Sequence, residues 1–282
     1  MNTTWKKAGA VCVTMWLASS AVNAALIAYD GFNYGPSGSD LSGNSGGSGF
    51  VGPWAPGGFN ASINNNYDIA SGSLSFGALS TSGNSVTTPA VNEIAGLSRT
   101  LAAPLGVDGT TRYFSFLLQP QGVLNGGAFN GFFGLVLESP TEPEIFMGKP
   151  GADAIDRYVI ENRGGAGQVP SSVAPVVGQT AFIVVRADFM AGNDLFTMYL
   201  NPTPGLLEPL SGVVKGDADI GVLTALTLYS SGAFAVDELR VGETFADVTP
   251  VSTNVPDSGP GLITALTTLA SLLIYGRRKI EG

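Results

Sequence analysis

The chain has 282 residues, of which 44% are apolar, 12% are charged and 39 are glycine. Many glycines and few charges are typical of an all-β protein with many tight turns. Histidine is absent, which excludes Ser-His-Asp and Cys-His catalysis and histidine-ligated zinc. The single cysteine, Cys12, excludes a disulfide framework and cysteine-ligated metal sites. The formal net charge of −9 argues against a nucleic-acid partner and suits Ca²⁺.

Residues 1–24 have the three parts of a secretory signal peptide. A positive start at 6–7 is followed by an apolar run at 8–17, and small residues precede Ala24 and Ala25. This order predicts export by the Sec translocon and cleavage by signal peptidase between Ala24 and Ala25. An uncleaved anchor is the alternative, but the apolar run is short for a hydrocarbon core about 30 Å thick.

Residues 25–250 contain short apolar and aromatic runs separated by Gly, Asn, Asp and Pro. Such runs predict strands, and the residues between them predict turns. The predicted strands are 112–118, 131–137, 144–148, 157–161, 180–189, 194–200, 225–229 and 233–241. Short strands are also expected within 67–76. The Gly/Ser/Pro-rich segment 35–60, which contains Trp54, is predicted to be an ordered surface loop.

The run at 180–189 and the alternating run at 194–200 are expected to pair as a hairpin through the turn 190–193. No helical period competes within the body, and no repeat of about 20–50 residues is found there. The spacing therefore predicts an all-β fold, an antiparallel two-sheet jelly-roll sandwich. Helices are expected only in the signal peptide and in a C-terminal apolar segment.

The body opens with Tyr-Asp-Gly-Phe-Asn-Tyr at 29–34 and closes with the segment 234–248. These two segments resemble the opening and closing strands of exported laminin-G-like, concanavalin-type domains, and the hairpin 185–202 is similar to theirs. The resemblance spans about 25–250 and implies a sandwich of that type, whose relatives often bind carbohydrate. Opening and closing strands placed side by side would tie both ends of the body into one sheet.

Asp237 and Glu238 are adjacent carboxylates inside an apolar strand. Either one faces solvent while the other caps a turn, or they pair with Arg240 or Arg186. Neighbouring side chains of a strand point to opposite faces, so the two are not expected to form a catalytic dyad. The Glu-x-Asp-x-x-Glu strand of retaining glycosidases with this fold is absent, and the acids of 142–144 lie in a Pro-rich turn. No catalytic residue is predicted.

A Ca²⁺ site is the one cofactor hypothesis that the residues support. Candidate oxygen donors are Asp188, Asn193 and Asp194 around the hairpin, and Asp217 and Asp219 before a later strand. Ca²⁺ takes about 6–8 oxygen ligands, and the sequence has no EF-hand loop. The alternative role of these acids is turn formation through Asx side chains.

Trp54, Phe59 and Tyr67 form an aromatic group near the Gly-rich segment. Exposed aromatic rings of this kind would suit a glycan ligand. The alternative, which we prefer, is that Trp54 packs as an anchor of its loop.

The C-terminus follows a three-part order. The linker 251–260 contains Val255, Pro256, Asp257, Ser258 and Gly259, an apolar segment follows at 261–276, and the tail 277–282 contains Arg277, Arg278 and Lys279. A helix of about 15 residues is about 22 Å long, which is short for a transmembrane span, and the basic cluster is expected to stay cytoplasmic. This order resembles the VPDSG variant of the PEP-CTERM sorting tails. The resemblance implies an exosortase-type membrane enzyme that removes the tail, and a plain anchor is the alternative.

These features predict an exported cell-surface or extracellular-matrix protein that is membrane-associated as a precursor. Its expected role is non-enzymatic, structural or adhesive, with extracellular polysaccharide as the candidate ligand. The alternative is a carbohydrate-active enzyme, a glycosidase or lyase, on a concanavalin-like fold.

Overall fold

The computed structural model describes residues 26–57, 67–88, 94–140, 143–151 and 156–252. The predicted signal peptide with its cleavage site, the sorting motif at 255–259, the apolar segment 261–276 and the basic tail lie outside these ranges. Within the ranges, no helix has the length and apolar character needed to cross a membrane.

The described residues form short strands almost throughout. In chain order these are β1 (Leu26–Asp30), β2 (Phe50–Pro56), β3 (Asp68–Ala70), β4 (Ser85–Thr87), β5 (Ala95–Leu105), β6 (Thr111–Pro120), β7 (Phe132–Glu138), β8 (Ile145–Lys149), β9 (Val159–Asn162), β10 (Ala166–Pro170), β11 (Ala181–Asp188), β12 (Asp194–Leu200), β13 (Val213–Ala218), β14 (Leu223–Ser231) and β15 (Phe234–Gly242). A 3₁₀ turn spans Ala128–Asn130, and the helix α1 spans Phe245–Val248.

The strands form two antiparallel sheets with a shared core. In sheet A the order is β13-β12-β11-β6-β15-β4-β3, and β1 also lies beside β15. In sheet B the order is β10-β9-β8-β7-β14-β5-β2. The predicted all-β, two-sheet antiparallel sandwich is therefore confirmed.

The predicted strands are all present. Each of them overlaps an observed strand, and β12 has the same two ends as the predicted run 194–200. The predicted hairpin also forms, because β11 and β12 pair from Ile183↔Leu200 to Asp188↔Leu195 across the turn 190–193. The signal was a continuous apolar run in β11, which is buried on both faces of sheet A, and alternation of apolar residues in β12.

Five strands were not predicted, namely β2, β4, β5, β10 and β13. β4 is only three residues long. β5 is 11 residues long, but Gly, Ser, Arg and Pro interrupt its apolar residues. β2 lies inside the segment expected to be a loop, and its pairing with β5 makes it a strand. β2, β10 and β13 lie at the edges of the sheets, where a strand needs fewer apolar residues because one of its sides has no partner strand.

The main core lies between the two sheets. Inward side chains such as Phe116, Leu135, Ile183 and Leu228 are completely or almost completely buried there. A second apolar cluster lies on the outer face of sheet A, where α1 and the segment before β4 cover the sheet. Sheet A is thus buried on both faces over much of its area.

The two ends of the body lie side by side, as predicted. β1 pairs antiparallel with the second half of β15, from Leu26↔Gly242 to Asp30↔Leu239. β4 pairs with the first half of β15 through Ala235 and Val236. The opening and closing strands therefore belong to one sheet.

The Gly-rich segment before β2 packs closely onto β1. Gly49 has a φ of +75°, and a Cβ at this position would collide with the backbone of Ile27 and Ala28. Only glycine satisfies both the left-handed conformation and the close approach. The local sequence thus fixes where the segment crosses β1.

Candidate functional site

Asp30, at the end of β1, is the centre of a buried polar cluster. Its Oδ2 accepts hydrogen bonds from Arg99 Nη1 at 2.5 Å, Tyr34 Oη at 2.5 Å and Trp54 Nε1 at 2.9 Å. Its Oδ1 accepts from the backbone N–H of Phe32 at 2.9 Å. Asp30 and Arg99 are 1% and 3% exposed, so this is a buried ion pair with additional donors. We call these residues the Asp30 cluster.

The Asp30 cluster anchors the Gly-rich segment. The guanidinium of Arg99 lies 4.8 Å from the ring centroid of Phe50 and 5.9 Å from that of Trp54, a cation–π arrangement. Trp54 and Tyr67 are both fully buried, so neither presents a ring to a ligand. Trp54 therefore acts as a loop anchor, and Phe59 lies outside the described residues.

A bulge in β15 brings Asp237 and Glu238 together. The register with β6 slips by one residue between Asp237 and Arg240, and Glu238 has a φ of +56°. Both carboxylates are completely buried, and Ser73 Oγ contacts both of them. The prediction that the two point to opposite faces was wrong, because the extra residue of the bulge breaks the alternation. The alternative with one carboxylate in solvent was wrong as well.

Both carboxylates of the bulge are fully engaged. Asp237 accepts hydrogen bonds from Ser73 and from the N–H of Leu74 at 2.7 Å, so it does cap a turn. Glu238 pairs with Arg240, as one sequence alternative expected, and also accepts from Tyr29 Oη at 3.1 Å. These contacts tie the segment before β4 to the centre of sheet A.

Burial shifts the titration of this cluster. Desolvation raises the pKa of Asp237 to about 8 and also raises the pKa of Glu238, whose neighbour Arg240 opposes the rise. Burial lowers the pKa of Arg240. Perturbed carboxylates are common at functional sites, but structural networks perturb pKa values equally. Here every contact is internal, so we assign the cluster a structural role.

The outer face of sheet B carries a different set of side chains. Leu135, Met147 and Ile160 point into the main core, so the residues that alternate with them face outward. The register places Ser98, Thr227, Val136, Phe146 and Glu161 in one row across five strands. Strand pairing therefore assembles polar groups that are far apart in the sequence.

We call this surface the polar face. It consists of Ser98, Glu138, Glu144, Glu161, Arg163, Gln168 and Thr227 around a floor of Phe132, Phe146 and Tyr229. In the floor, the ring centroids of Phe132 and Tyr229 are 4.9 Å apart, and those of Phe132 and Phe146 are 6.4 Å apart. The Phe146 ring lies against Gly134, where a Cβ would collide with it.

Hydrogen bonds link the polar face from strand to strand. Ser98 Oγ donates to Glu138 Oε1 at 3.1 Å and lies 2.5 Å from Thr227 Oγ1. On the other side, Arg163 forms an ion pair with Glu144. Ser98 and Glu138 are partly buried, and the side chains of Arg163 and Glu144 are only 9% and 12% exposed. Thr227 and the aromatic floor are buried.

Glu161 is the most deeply placed acid of the polar face. It is 5% exposed and accepts a hydrogen bond from Gln168. Burial raises its pKa, although Gln168 and the positive charge of Lys215 oppose the rise. Glu161 is thus a carboxylate that holds its proton to higher pH than an exposed glutamate.

Two of the predicted Ca²⁺ ligands shape turns. Asp194 is buried and accepts from the N–H groups of Met190 at 2.9 Å and Ile220 at 3.0 Å, and burial raises its pKa. Asp219 accepts from the N–H of Gly221 at 3.0 Å. Both are the Asx-type contacts that the sequence offered as an alternative.

The other three predicted ligands also have partners. Asp188 pairs with Arg186 at 2.9 Å, and Asp217 pairs with Lys215 at 2.6 Å, which lowers the pKa of Asp217. Asn193 donates to a backbone carbonyl at 3.4 Å. Across the ranges that the structure describes, no three acidic, histidine or cysteine side chains gather as a metal site. The Ca²⁺ site stays a prediction.

Sequence reasoning did not find the polar face. Its residues come from β5, β7, β8, β9, β10 and β14, with Glu144 just before β8 and Arg163 just after β9. β5 and β10 were not predicted. Alternation shows that Glu138 and Glu161 point away from the core, but it does not show which strands are neighbours. Only the order of the sheet brings them to one surface.

No protein-family model and no curated protein sequence matches this chain. Solved structures do match. The globular domain of T. cruzi calreticulin aligns with a TM-score of 0.41 and 13% identity over 73% of this chain and 89% of its own. The endo-β-1,4-glucuronan lyase of Trichoderma reesei aligns with a TM-score of 0.38 and 10% identity over 64% and 88%. The carbohydrate recognition domain of Emp47p aligns with a TM-score of 0.37 and 11% identity over 80% and 100%. These low scores carry no argument about the site.

Proposed function

We propose that this chain is a non-enzymatic, exported surface or matrix protein that binds extracellular polysaccharide through the polar face. The observation that carries the proposal is the strand-to-strand ladder of Ser98, Thr227 and Glu138 beside the Glu144–Arg163 pair. The partly exposed hydroxyl, carboxylate and guanidinium groups of Ser98, Glu138 and Arg163 offer both donors and acceptors to sugar hydroxyls. Thr227 is 1% exposed and holds the hydroxyl of Ser98 in place. We also assign the sandwich to the jelly-roll, concanavalin- or laminin-G-like type, which the adjacent opening and closing strands support.

The negative charge of the chain favours a neutral polysaccharide over an acidic one. The net charge is −9, and the polar face itself holds three glutamates and one arginine. Repulsion would weaken binding of polyuronates and sulfated glycans at low salt. The expected ligand is therefore a neutral polysaccharide.

The test is binding of the protein to an array of neutral and acidic polysaccharides. Glu138→Ala removes the half-buried acceptor of Ser98 and is expected to weaken binding of a neutral glycan at least about tenfold, since a hydrogen bond to a charged group contributes about 1.5–3 kcal/mol. The matched control is Glu243→Ala, an exposed acid after the end of β15. Equal affinity of the two variants would contradict a site at the polar face, and a preference for acidic glycans would contradict the ligand class.

Glu161 supports a second candidate function, a glycosidase or lyase at the same face. A buried carboxylate with a raised pKa suits a general acid. The proposed non-enzymatic role predicts no change in polysaccharide chain length during incubation with the protein. If the native protein shortens the polysaccharide and Glu161→Gln does not, the protein is an enzyme and the non-enzymatic proposal is wrong.

The second part of the proposal is sorting. We propose that the precursor is anchored through 261–276 and cleaved by an exosortase-type enzyme at the motif 255–259. In support, the last described residues run along the surface of the sandwich, where Val251 bridges to Leu79, and the motif begins at 255, three positions after Ser252. Mass spectrometry of the protein from its native cells is expected to show an N-terminus at Ala25 and no residues beyond the motif. A C-terminus at Gly282 would support a retained anchor instead.

A further inference from the structure

The loop between β12 and β13 exposes three leucines. Leu206 is 64% exposed, Leu207 is 92% exposed and Leu210 is fully exposed. Exposed apolar side chains that cluster on one loop mark an interaction surface more often than scattered ones do. We call residues 203–212 the leucine loop.

Internal contacts hold the leucine loop in this conformation. Glu208, its one acid, turns back onto sheet A and accepts from Tyr113 Oη at 2.8 Å and Tyr199 Oη at 2.7 Å. Arg186 also pairs with Glu208 at 3.4 Å. The charge of Glu208 is thus compensated within the protein, and the leucines on both sides of it stay in solvent.

The leucine loop lies beside the point where the described chain ends. The N–H of Gly205 donates to the carbonyl of Thr249 at 3.0 Å, and a Cβ at Gly205 would touch Val251. Residues 253–260 separate Ser252 from the apolar segment at 261. Even fully extended, this linker spans about 30 Å. The leucines are therefore tethered close to any membrane that holds the apolar segment.

We propose that the leucine loop rests on the lipid surface of the membrane in the precursor, with Leu206, Leu207 and Leu210 in the interface. The inference rests on the proposed anchoring through 261–276. Apolar insertion drives the contact, because the loop contains no Lys or Arg and the chain is acidic. Zwitterionic lipid is accordingly the expected partner, and the contact is insensitive to salt. It orients the sandwich relative to the membrane and places the sorting motif at the bilayer surface.

The experiment uses the full chain carrying Cys12→Ser and one new cysteine for an environment-sensitive fluorophore. The test position is Leu207→Cys. The control is Val107→Cys, because Val107 is 68% exposed. It lies in the turn before β6, which is hydrogen-bonded to Phe189, at the end of the sandwich where β12 begins. The leucine loop lies at the other end of β12. Each protein is reconstituted into phosphatidylcholine vesicles that contain a lipid with a nitroxide on its acyl chain. We expect the nitroxide to reduce fluorescence at 207 at least about twofold and to leave 107 nearly unchanged.

Adding Leu206→Ser and Leu210→Ser to the labelled Leu207→Cys chain is expected to reverse most of the quenching. Protein that floats with the vesicles but shows no quenching at 207 overturns the inference and leaves the anchoring intact. A label at 207 that is shielded from water yet insensitive to nitroxide lipid also overturns it, because the apolar segment or a second copy then covers the leucines. Protein that does not float with the vesicles overturns the anchoring and the inference together.

Discussion

Replacing Asp30 by alanine is expected to lower the free energy of unfolding by about 3–5 kcal/mol, the usual effect of breaking a buried ion pair. Arg99 would be left as a buried charge without its carboxylate, and Trp54 Nε1 and Tyr34 Oη would lose their acceptor. Each orphaned buried donor adds about 1–3 kcal/mol to the effect in the absence of relaxation. Urea denaturation at neutral pH measures the change in the midpoint.

The matched control for this experiment is Asp40→Ala. Asp40 is exposed. Burial and, after it, repulsion from Asp40 raise the pKa of Asp68, so removal of Asp40 is not expected to destabilise the fold. If Asp30→Ala and Asp40→Ala unfold at the same urea concentration, the Asp30 cluster is not the anchor of the Gly-rich segment.

Asp237→Asn is expected to be less stable than the native chain at low pH, by about one hydrogen bond, and to gain stability relative to the native chain as pH rises towards 8. The pKa of Asp237 is about 8 in the folded protein, against 3.8 for an exposed aspartate. The folded state therefore holds a proton that the unfolded chain releases between these values. The contribution of Asp237 to the free energy of unfolding is therefore greatest below about pH 4. It falls as pH rises towards 8, by at most about 1.4 kcal/mol per pH unit.

Asparagine removes this dependence, because its amide stays neutral. Its one oxygen can accept from the N–H of Leu74 or from the N–H of Glu238 but not from both, so one backbone hydrogen bond is lost at every pH. The melting temperature of Asp237→Asn relative to the native protein is expected to rise by up to about 8–16 °C between pH 5 and pH 8, since about 4 kcal/mol corresponds to about 2–4 °C per kcal/mol in a domain of this size. The comparison is made by differential scanning calorimetry at several pH values. Asp108→Asn, an exposed substitution, serves as the control. Parallel pH profiles of Asp237→Asn and the native protein would show that Asp237 is ionised throughout.

Much of the sandwich follows from local sequence. β11 is a continuous apolar run, β12 has apolar residues on alternate positions and a turn of Met-Ala-Gly-Asn lies between them, so their pairing was predicted correctly. β5 escaped prediction because its place between β14 and β2 makes it a strand, while its own sequence is interrupted by small and polar residues. The local sequence therefore predicts a strand only where strand formation does not depend on pairing with neighbouring strands.

The candidate site shows the opposite balance. Glu138 lies in β7 and Glu161 lies in β9, and β8 separates these two strands in sheet B. Their separation along the chain does not predict that they lie on the same face of the sheet. The bulge at Asp237 and Glu238 could not be predicted either. It inserts a single extra residue into β15, which changes the face of the sheet towards which the following side chain points.

By itself, the sequence determined the all-β class, the positions of most strands and the absence of histidine chemistry, because alternation and composition are local properties of the chain. It also placed the opening strand beside the closing one. The sequence also favoured Trp54 as an anchor of its segment. Only the tertiary structure decided that Asp30 pairs with Arg99, that Asp237 and Glu238 share a face, and that the polar face exists. The physical reason is that these features depend on register and strand order, which are set by contacts between residues far apart in the chain.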